Sequence, residues 1–152
     1  MSDHAHASEP EQDGRPAHGR ADGPAYVWRG PFTNPEVNAL HAQGFDHPVL
    51  DIDWHGQLHR HSLGWVCARV GDELVGFVNV AWDGGVHAFV LDTVVGEGWR
   101  RTGIGRGLVE AAVVGARAAG CEWLHVDFEA HLRAFYFDAC GFRTTEAGLI
   151  AL

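Results

Sequence analysis

The hydrophobic rhythm of the chain changes once, abruptly, at Val95. Before it, Gly64 to Val70, Leu74 to Trp82 and Val86 to Val95 are β-rich runs parted by the tight-turn sequences Gly71-Asp72-Glu73 and Asp83-Gly84-Gly85, which predicts three antiparallel strands in a meander. After it, Ile104, Leu108, Ala111, Ala112, Gly115 and Ala119 recur at helical spacing until Gly120, which predicts one amphipathic helix closed by a glycine. Trp123 to Phe128 reads as a further strand. Strand, helix, strand in this order implies a right-handed crossover and a parallel pair, so the sheet is mixed.

The segment joining the two regimes, Val94-Val95-Gly96-Glu97-Gly98-Trp99-Arg100-Arg101-Thr102-Gly103-Ile104-Gly105-Arg106-Gly107, is rich in Gly and Arg and opens a helix. Free N–H groups at a helix start and the positive end of its dipole attract anions, Gly lets the backbone approach, and Arg adds full charge. A diphosphate is the natural ligand. A dinucleotide fold would need G-x-G-x-x-G within βαβ units, but Leu108 stands where the third Gly should be and antiparallel strands precede the loop.

The loop contains R-x-x-G-x-G, as Arg100, Gly103 and Gly105, and so resembles the acetyl-CoA signature of the GNAT N-acetyltransferase superfamily. Downstream, Leu132-Arg133-Ala134-Phe135-Tyr136-Phe137-Asp138-Ala139-Cys140-Gly141-Phe142 resembles the superfamily's second signature, A-x-x-F-Y-x-x-x-G-F, with Leu132 at the Ala position and four residues instead of three between Tyr136 and Gly141. The resemblance spans roughly Tyr26 to the C-terminus. It implies an α+β fold in α/β/α layers: a GNAT-like mixed, mostly antiparallel central sheet, split between its fourth and fifth strands and flanked by helices. It also implies that Val94 and Val95 offer backbone groups to the pantetheine and thioester of acetyl-CoA, while Arg100, Arg101, Thr102, Gly103, Ile104, Gly105 and Arg106 hold the diphosphate.

Direct acetyl transfer to an amine needs an oxyanion donor, a base for the amine and an acid for the departing thiolate. By the resemblance Tyr136 is the general acid, and a backbone N–H near Val94 or Val95 is the oxyanion donor. The base is open. Strand alternation puts Phe89, Leu91 and Thr93 on one face and Val90, Asp92 and Val94 on the other, so Asp92 reaches the acceptor side only through a bulge. Glu129, at the end of the fifth strand, and His87 are the alternatives. The Pro common after the fourth strand is replaced here by Gly96, Glu97 and Gly98, and the Asn often found after the fifth by Glu129.

Composition narrows the rest. All eleven basic residues are Arg, and no Lys is present, which removes Schiff-base chemistry and the G-K-[ST] phosphate loop. A net charge of −9 argues against nucleic-acid binding, and no apolar run approaches the ~20 residues of a membrane span. Three spaced cysteines, Cys67, Cys121 and Cys140, suit reduced thiols, and with no visible secretory signal a cytoplasmic location is expected. His55, His59 and His61 raise a metal reading, but no Cys lies near and Gly56 weakens the helix; no metal is expected.

Residues 1–24 lack aromatic side chains and read as a disordered acidic, His-, Pro- and Gly-rich tail, leaving 25–152 as a single acyl-CoA N-acyltransferase domain. Within it, Asn34-Pro35-Glu36 is a helix start with Asn34 as cap and Gly44 as terminator. Trp54 to His61 is a second short helix and Leu132 to Cys140 a last one, while Phe142 to Leu152 supplies one or two closing strands. So short a final segment suggests an edge covered in a homodimer. The expected activity is transfer of acetyl from acetyl-CoA to a primary amine of a small molecule or peptide. A catalytically silent acyl-CoA-binding sensor and a metal-dependent enzyme built on the histidines are the rivals.

Overall fold

The computed structural model describes residues 23–152; the expected tail falls almost entirely on residues 1–22, outside them. Five strands form one sheet in sequence order: β1 (Ala25–Trp28), β2 (Ser62–Val70), β3 (Glu73–Trp82), β4 (His87–Val95) and β5 (Trp123–His125). The first four pair antiparallel, and β5 joins β4 in parallel. The mixed, mostly antiparallel sheet expected from the sequence is therefore present. Four-residue β1 was missed because so short a run carries little periodic signal.

Helix α3 (Ile104–Ala118) covers one face, burying Ile104, Leu108, Ala112 and Ala116 against Val66, Val78, Val80, Ala88 and Val90. It can lie this close because a Cβ at Gly107 or Gly115 would strike the rings of Tyr26 or Trp28 on β1. Helices α1 (Asn34–Phe45) and α2 (Trp54–His61) cover the other face, where Val37, Leu40, Trp54 and Leu58 meet Trp65, Phe77 and Val94.

The start of α1 differs from expectation. Thr33, not Asn34, is the cap: its hydroxyl accepts from Glu36 N while Glu36 Oε2 accepts from Thr33 N at 2.7 Å, a reciprocal capping box. Asn34 instead ties α1 to α2, its Oδ1 accepting from His55 N at 2.9 Å and its Nδ2 donating to Asp53. The helix ends one residue past Gly44, with Asp46 in the left-handed cap at φ 51°.

The C-terminal third departs most. β5 stops at His125 rather than Phe128, because the chain leaves β4 there. The last helix is a 3-10 turn (Ala130–Leu132) followed by a π-helical turn (Ala134–Ala139). Phe142 to Leu152 forms no strand; Leu149, Ile150 and Leu152 are exposed. Three residues of β5 offer too short a ladder to hold another strand.

Candidate acyl-CoA and acetyl-transfer site

β4 and β5 share only three register pairs, His87 with Trp123, Ala88 with Leu124 and Phe89 with His125. Beyond Phe89, β4 continues to Val95 while β5 has ended, so the sheet opens. Gly96 N donates to Val75 O on β3 at 2.8 Å. Alternation then turns the Val95 N–H the opposite way, toward the opening.

The mouth of α3 follows directly. Gly103 caps the helix at φ 90° with no side-chain hydrogen bond, and a Cβ placed there would meet nothing within 4 Å. The first intrahelical bond runs from Gly107 N to Gly103 O, which leaves the N–H groups of Ile104, Gly105 and Arg106 without helical partners. Arg101 takes φ 62°, Thr102 Oγ1 donates to Trp99 O, and Arg106 pairs with Glu110 on the next turn at 2.7 Å. Arg100 is committed differently from the expectation of a free phosphate ligand. Its Nη2 donates to Gln43 O at 3.0 Å and its Nε to Val95 O at 3.4 Å, so it laces the loop to the end of α1.

A cavity of about 480 Å³ lies between α1, β3 and the turn Glu97–Trp99, but its wall carries Glu36, Glu73 and Glu97. Such a wall repels a diphosphate, whereas the helix mouth presents unpartnered N–H groups.

Tyr136 lies on the π turn and is buried, stacked on Phe128 at 4.7 Å with Phe135 and Phe142 edge-on. Burial raises its pKa above the usual phenol value, and the Thr93 hydroxyl nearby only partly offsets this. Thr93 Oγ1 is itself buried and has no satisfactory hydrogen-bond partner. A buried hydroxyl left open beside the phenol, together with an uncapped helix mouth, fits the polar thioester arm and diphosphate of an acyl-CoA.

A bulge decides where Asp92 points. Asn79 pairs with Leu91 and Phe77 with Val94, so Val78 alone stands opposite both Asp92 and Thr93, and Asp92 takes φ 55°. Strict alternation therefore fails. Asp92 turns to the α1/α2 face, where its Oδ1 meets His41 Nε2 at 3.1 Å and its Oδ2 accepts from Asn79 Nδ2 at 3.2 Å. Asn79 is buried, and Ser62 Oγ donates to its Oδ1. His41 went unnoticed because nothing in sequence links α1 to a residue on β4; only the bulge brings them together.

The other candidates lie apart from this arrangement. Glu129 is exposed and pairs with His131 at 3.3 Å. His87 Nδ1 meets His125 Nε2 at 2.8 Å where β4 and β5 are still paired. His55 and His59 each spend a ring nitrogen on a backbone oxygen, Phe32 O and His55 O respectively.

The acetyltransferase (GNAT) family profile matches residues 28–142. The chain belongs to this family. No curated protein matches the sequence. Among solved structures, a putative acetyltransferase from Agrobacterium tumefaciens str. C58 is similar at 22% identity and TM-score 0.70, over 84% of this chain and 99% of that one. An aminoglycoside N-acetyltransferase, AAC(6')-Iy, in complex with CoA is similar at 16% identity and TM-score 0.71, over 88% and 97%. Glucosamine-6-phosphate N-acetyltransferase from Arabidopsis thaliana reaches TM-score 0.65 at 13% identity, over 84% and 98%. These likenesses show the fold: this chain has the split, mixed sheet of the GNAT acetyltransferases, and the family's chemistry is acetyl transfer.

Proposed function

We propose that the protein is an acetyl-CoA-dependent N-acetyltransferase acting on a primary amine of a small molecule or peptide. The observation that carries this reading is the bulge at Asp92, which turns its carboxylate to the α1/α2 face of the strand that borders the opening. The free N–H groups of Ile104, Gly105 and Arg106 receive the diphosphate, with Arg101, Thr102 and Gly103 shaping the loop and Arg100 holding it in place. Val94 and Val95 border the thioester arm, and the Val95 N–H stabilises the oxyanion. Asp92 takes the proton of the attacking amine, and Tyr136, protonated at neutral pH, gives its phenolic proton to the departing thiolate. Glu129, exposed and engaged with His131, is the weaker base.

Three free cysteines suit a cytoplasmic setting, and no helix among the described residues is long and apolar enough to cross a membrane. Neither a nucleic-acid nor a membrane partner is proposed, nor is a metal. A homodimer would cover β5 and the exposed Leu149, Ile150 and Leu152. Thiol release from acetyl-CoA, followed over a panel of primary amines, tests the reading. Release above the hydrolytic background with at least one amine supports it, whereas CoA binding by calorimetry without release from any of them would favour a silent acyl-CoA sensor.

A further inference from the structure

Asp92 ends a file of hydrogen bonds that runs from the sheet to the surface. His41 Nε2 meets Asp92 Oδ1 at 3.1 Å, His41 Nδ1 meets His47 Nε2 at 2.7 Å, and His47 Nδ1 meets Pro48 O at 2.7 Å. A carbonyl oxygen only accepts, so His47 must carry a proton on Nδ1. The two remaining links each need one proton as well. Three protons therefore sit on one carboxyl and two rings. With Asp92 ionised, the rings share three between them, one more than two neutral imidazoles hold.

The surroundings suit that extra charge. The titratable groups in contact with His41 are Asp92, 22% exposed, from β4 and His47 from the segment after α1; its other neighbours are the rings of Phe45 at 4.4 Å and Trp54 at 5.2 Å. Aromatic faces favour a cation. The second histidine pair, His87 with His125, makes no ring hydrogen bond to a carboxylate among the described residues.

We infer that His41 and His47 form an imidazole–imidazolium pair that keeps Asp92 ionised as the base of the acetyl-transfer site and carries its proton to solvent. This rests on the acetyl-transfer reading above. The amine's ammonium form gives one proton to Asp92 Oδ2, and the N–H bonding pair stays on the amine. The file then holds four protons, and His47 releases one to water. His41 passes its Nδ1 proton to His47 Nε2 in its place, and turning of the two rings and the carboxyl brings the vacated His41 nitrogen to the carboxyl proton, whose transfer restores the carboxylate and the three-proton file. No oxidant or other reactant is needed. Asp92 is the catalytic residue here, and His41 and His47 are positioning residues.

Two measurements on the full chain test this. Long-range proton–nitrogen spectra of protein labelled with ¹⁵N-histidine, assigned through His41→Gln and His47→Leu, should count three ring protons over the two residues at pH 7; two neutral rings would overturn the pair. In steady-state turnover, His47→Leu should lower kcat by about tenfold or more, leave KM for acetyl-CoA unchanged, and regain activity with added imidazole. His47→Gln, whose amide can still donate to His41 Nδ1 but stores no proton, should show the same loss with an unchanged melting temperature. An unchanged kcat in both variants, or a loss that imidazole does not relieve, would overturn the relay while acetyl transfer by the wild type stood. If the wild type transfers acetyl to no amine, the acetyl-transfer reading falls, and the relay's role with it.

Discussion

Val90 and Val94 lie four residues apart on one strand, yet Val90 packs beneath α3 while Val94 packs beneath α1 and α2. A regular strand would send both to the same face. The residue that breaks the alternation is Asp92, whose positive φ an aspartate tolerates far better than a β-branched side chain. The same backbone event thus aims the carboxylate and fixes the register of the end of β4 against both layers. Asp92→Asn should keep the fold, since Asn also accepts this conformation, and should lower turnover by about 10²-fold or more if the carboxylate is the base. Asp92→Val should instead cost roughly 1–2 kcal/mol of stability through strain in the left-handed region. Denaturant melts and kcat measured on both variants check the separation. Full activity in the Asn variant would remove Asp92 from the reaction.

β2 to β4 were legible in the sequence as β-rich runs parted by tight turns, and α3 by a helical repeat that buries one face along its fifteen residues. The loop that opens α3 was legible too, since Gly and Arg cluster where periodicity stops. What escaped was whatever depends on distant partners. The Asp92 bulge has a local signal no stronger than an aspartate in a strand, and the Thr33 and Asn34 roles differ by one residue because Asn34 is claimed by the start of α2. The C-terminal segment has β-prone residues but no ladder long enough to receive them, so propensity there predicted strands that do not form.

The proposed anion site separates into backbone and side-chain parts. Gly103→Val would put a branched side chain into the open helix mouth at a φ that disfavours it, and should weaken CoA binding by at least tenfold, a loss of about 1.4 kcal/mol. Arg100→Ala should weaken CoA too, but together with a stability loss on the order of 1 kcal/mol, because its guanidinium holds Gln43 O and Val95 O. Calorimetric titration and thermal melts distinguish the two patterns. Unchanged CoA affinity in Gly103→Val would show the loop to be only a connection.

Glu36 joins the α1 cap to β2: beyond its bonds with Thr33 it accepts from Arg69 Nη1 at 3.0 Å and Nη2 at 3.1 Å. The Arg69 guanidinium is the main cause of its lowered pKa, with the Thr33 bonds adding to it against the cost of burial. A carboxylate with a depressed pKa in the folded state contributes stability above its unfolded value, and that stability is lost as pH falls through the folded value. Glu36→Gln should therefore lower stability by about 1 kcal/mol at pH 7, the site being partly exposed. The difference from wild type should shrink below pH 4. A difference independent of pH would assign the loss to packing alone.

Cys67 is buried on β2, its Sγ 3.5 Å from Gly30 O, and burial pushes its pKa up to about 12. The folded state then holds this proton more tightly than the unfolded chain. Its contribution is fully present below the unfolded thiol's pKa and is lost as pH rises from there toward 12. Iodoacetamide at pH 8.5 should leave Cys67 unmodified in the native protein, and Cys67→Ala should flatten the alkaline loss of stability. Rapid native alkylation at Cys67 would contradict its burial.

Tyr136 is the most direct test of the reaction. Its ring is fixed by Phe128, Phe135 and Phe142, contacts that phenylalanine would keep, and the phenol's polar neighbour, Thr93, makes no satisfactory hydrogen bond. Tyr136→Phe should therefore leave the melting temperature and CoA affinity nearly unchanged and lower turnover by about 10²-fold, within the range for loss of a general acid. Burial raises the folded pKa of this phenol, so the acid form persists across neutral and mildly alkaline pH and is lost only above the ordinary tyrosine range. The alkaline limb of the wild-type rate profile should accordingly lie above about pH 10 and vanish in the variant. Thiol release measured from pH 6 to 11 on both proteins checks this. Normal turnover with an unchanged limb would mean that the thiolate takes its proton from water, and that the phenol only fills the aromatic cluster.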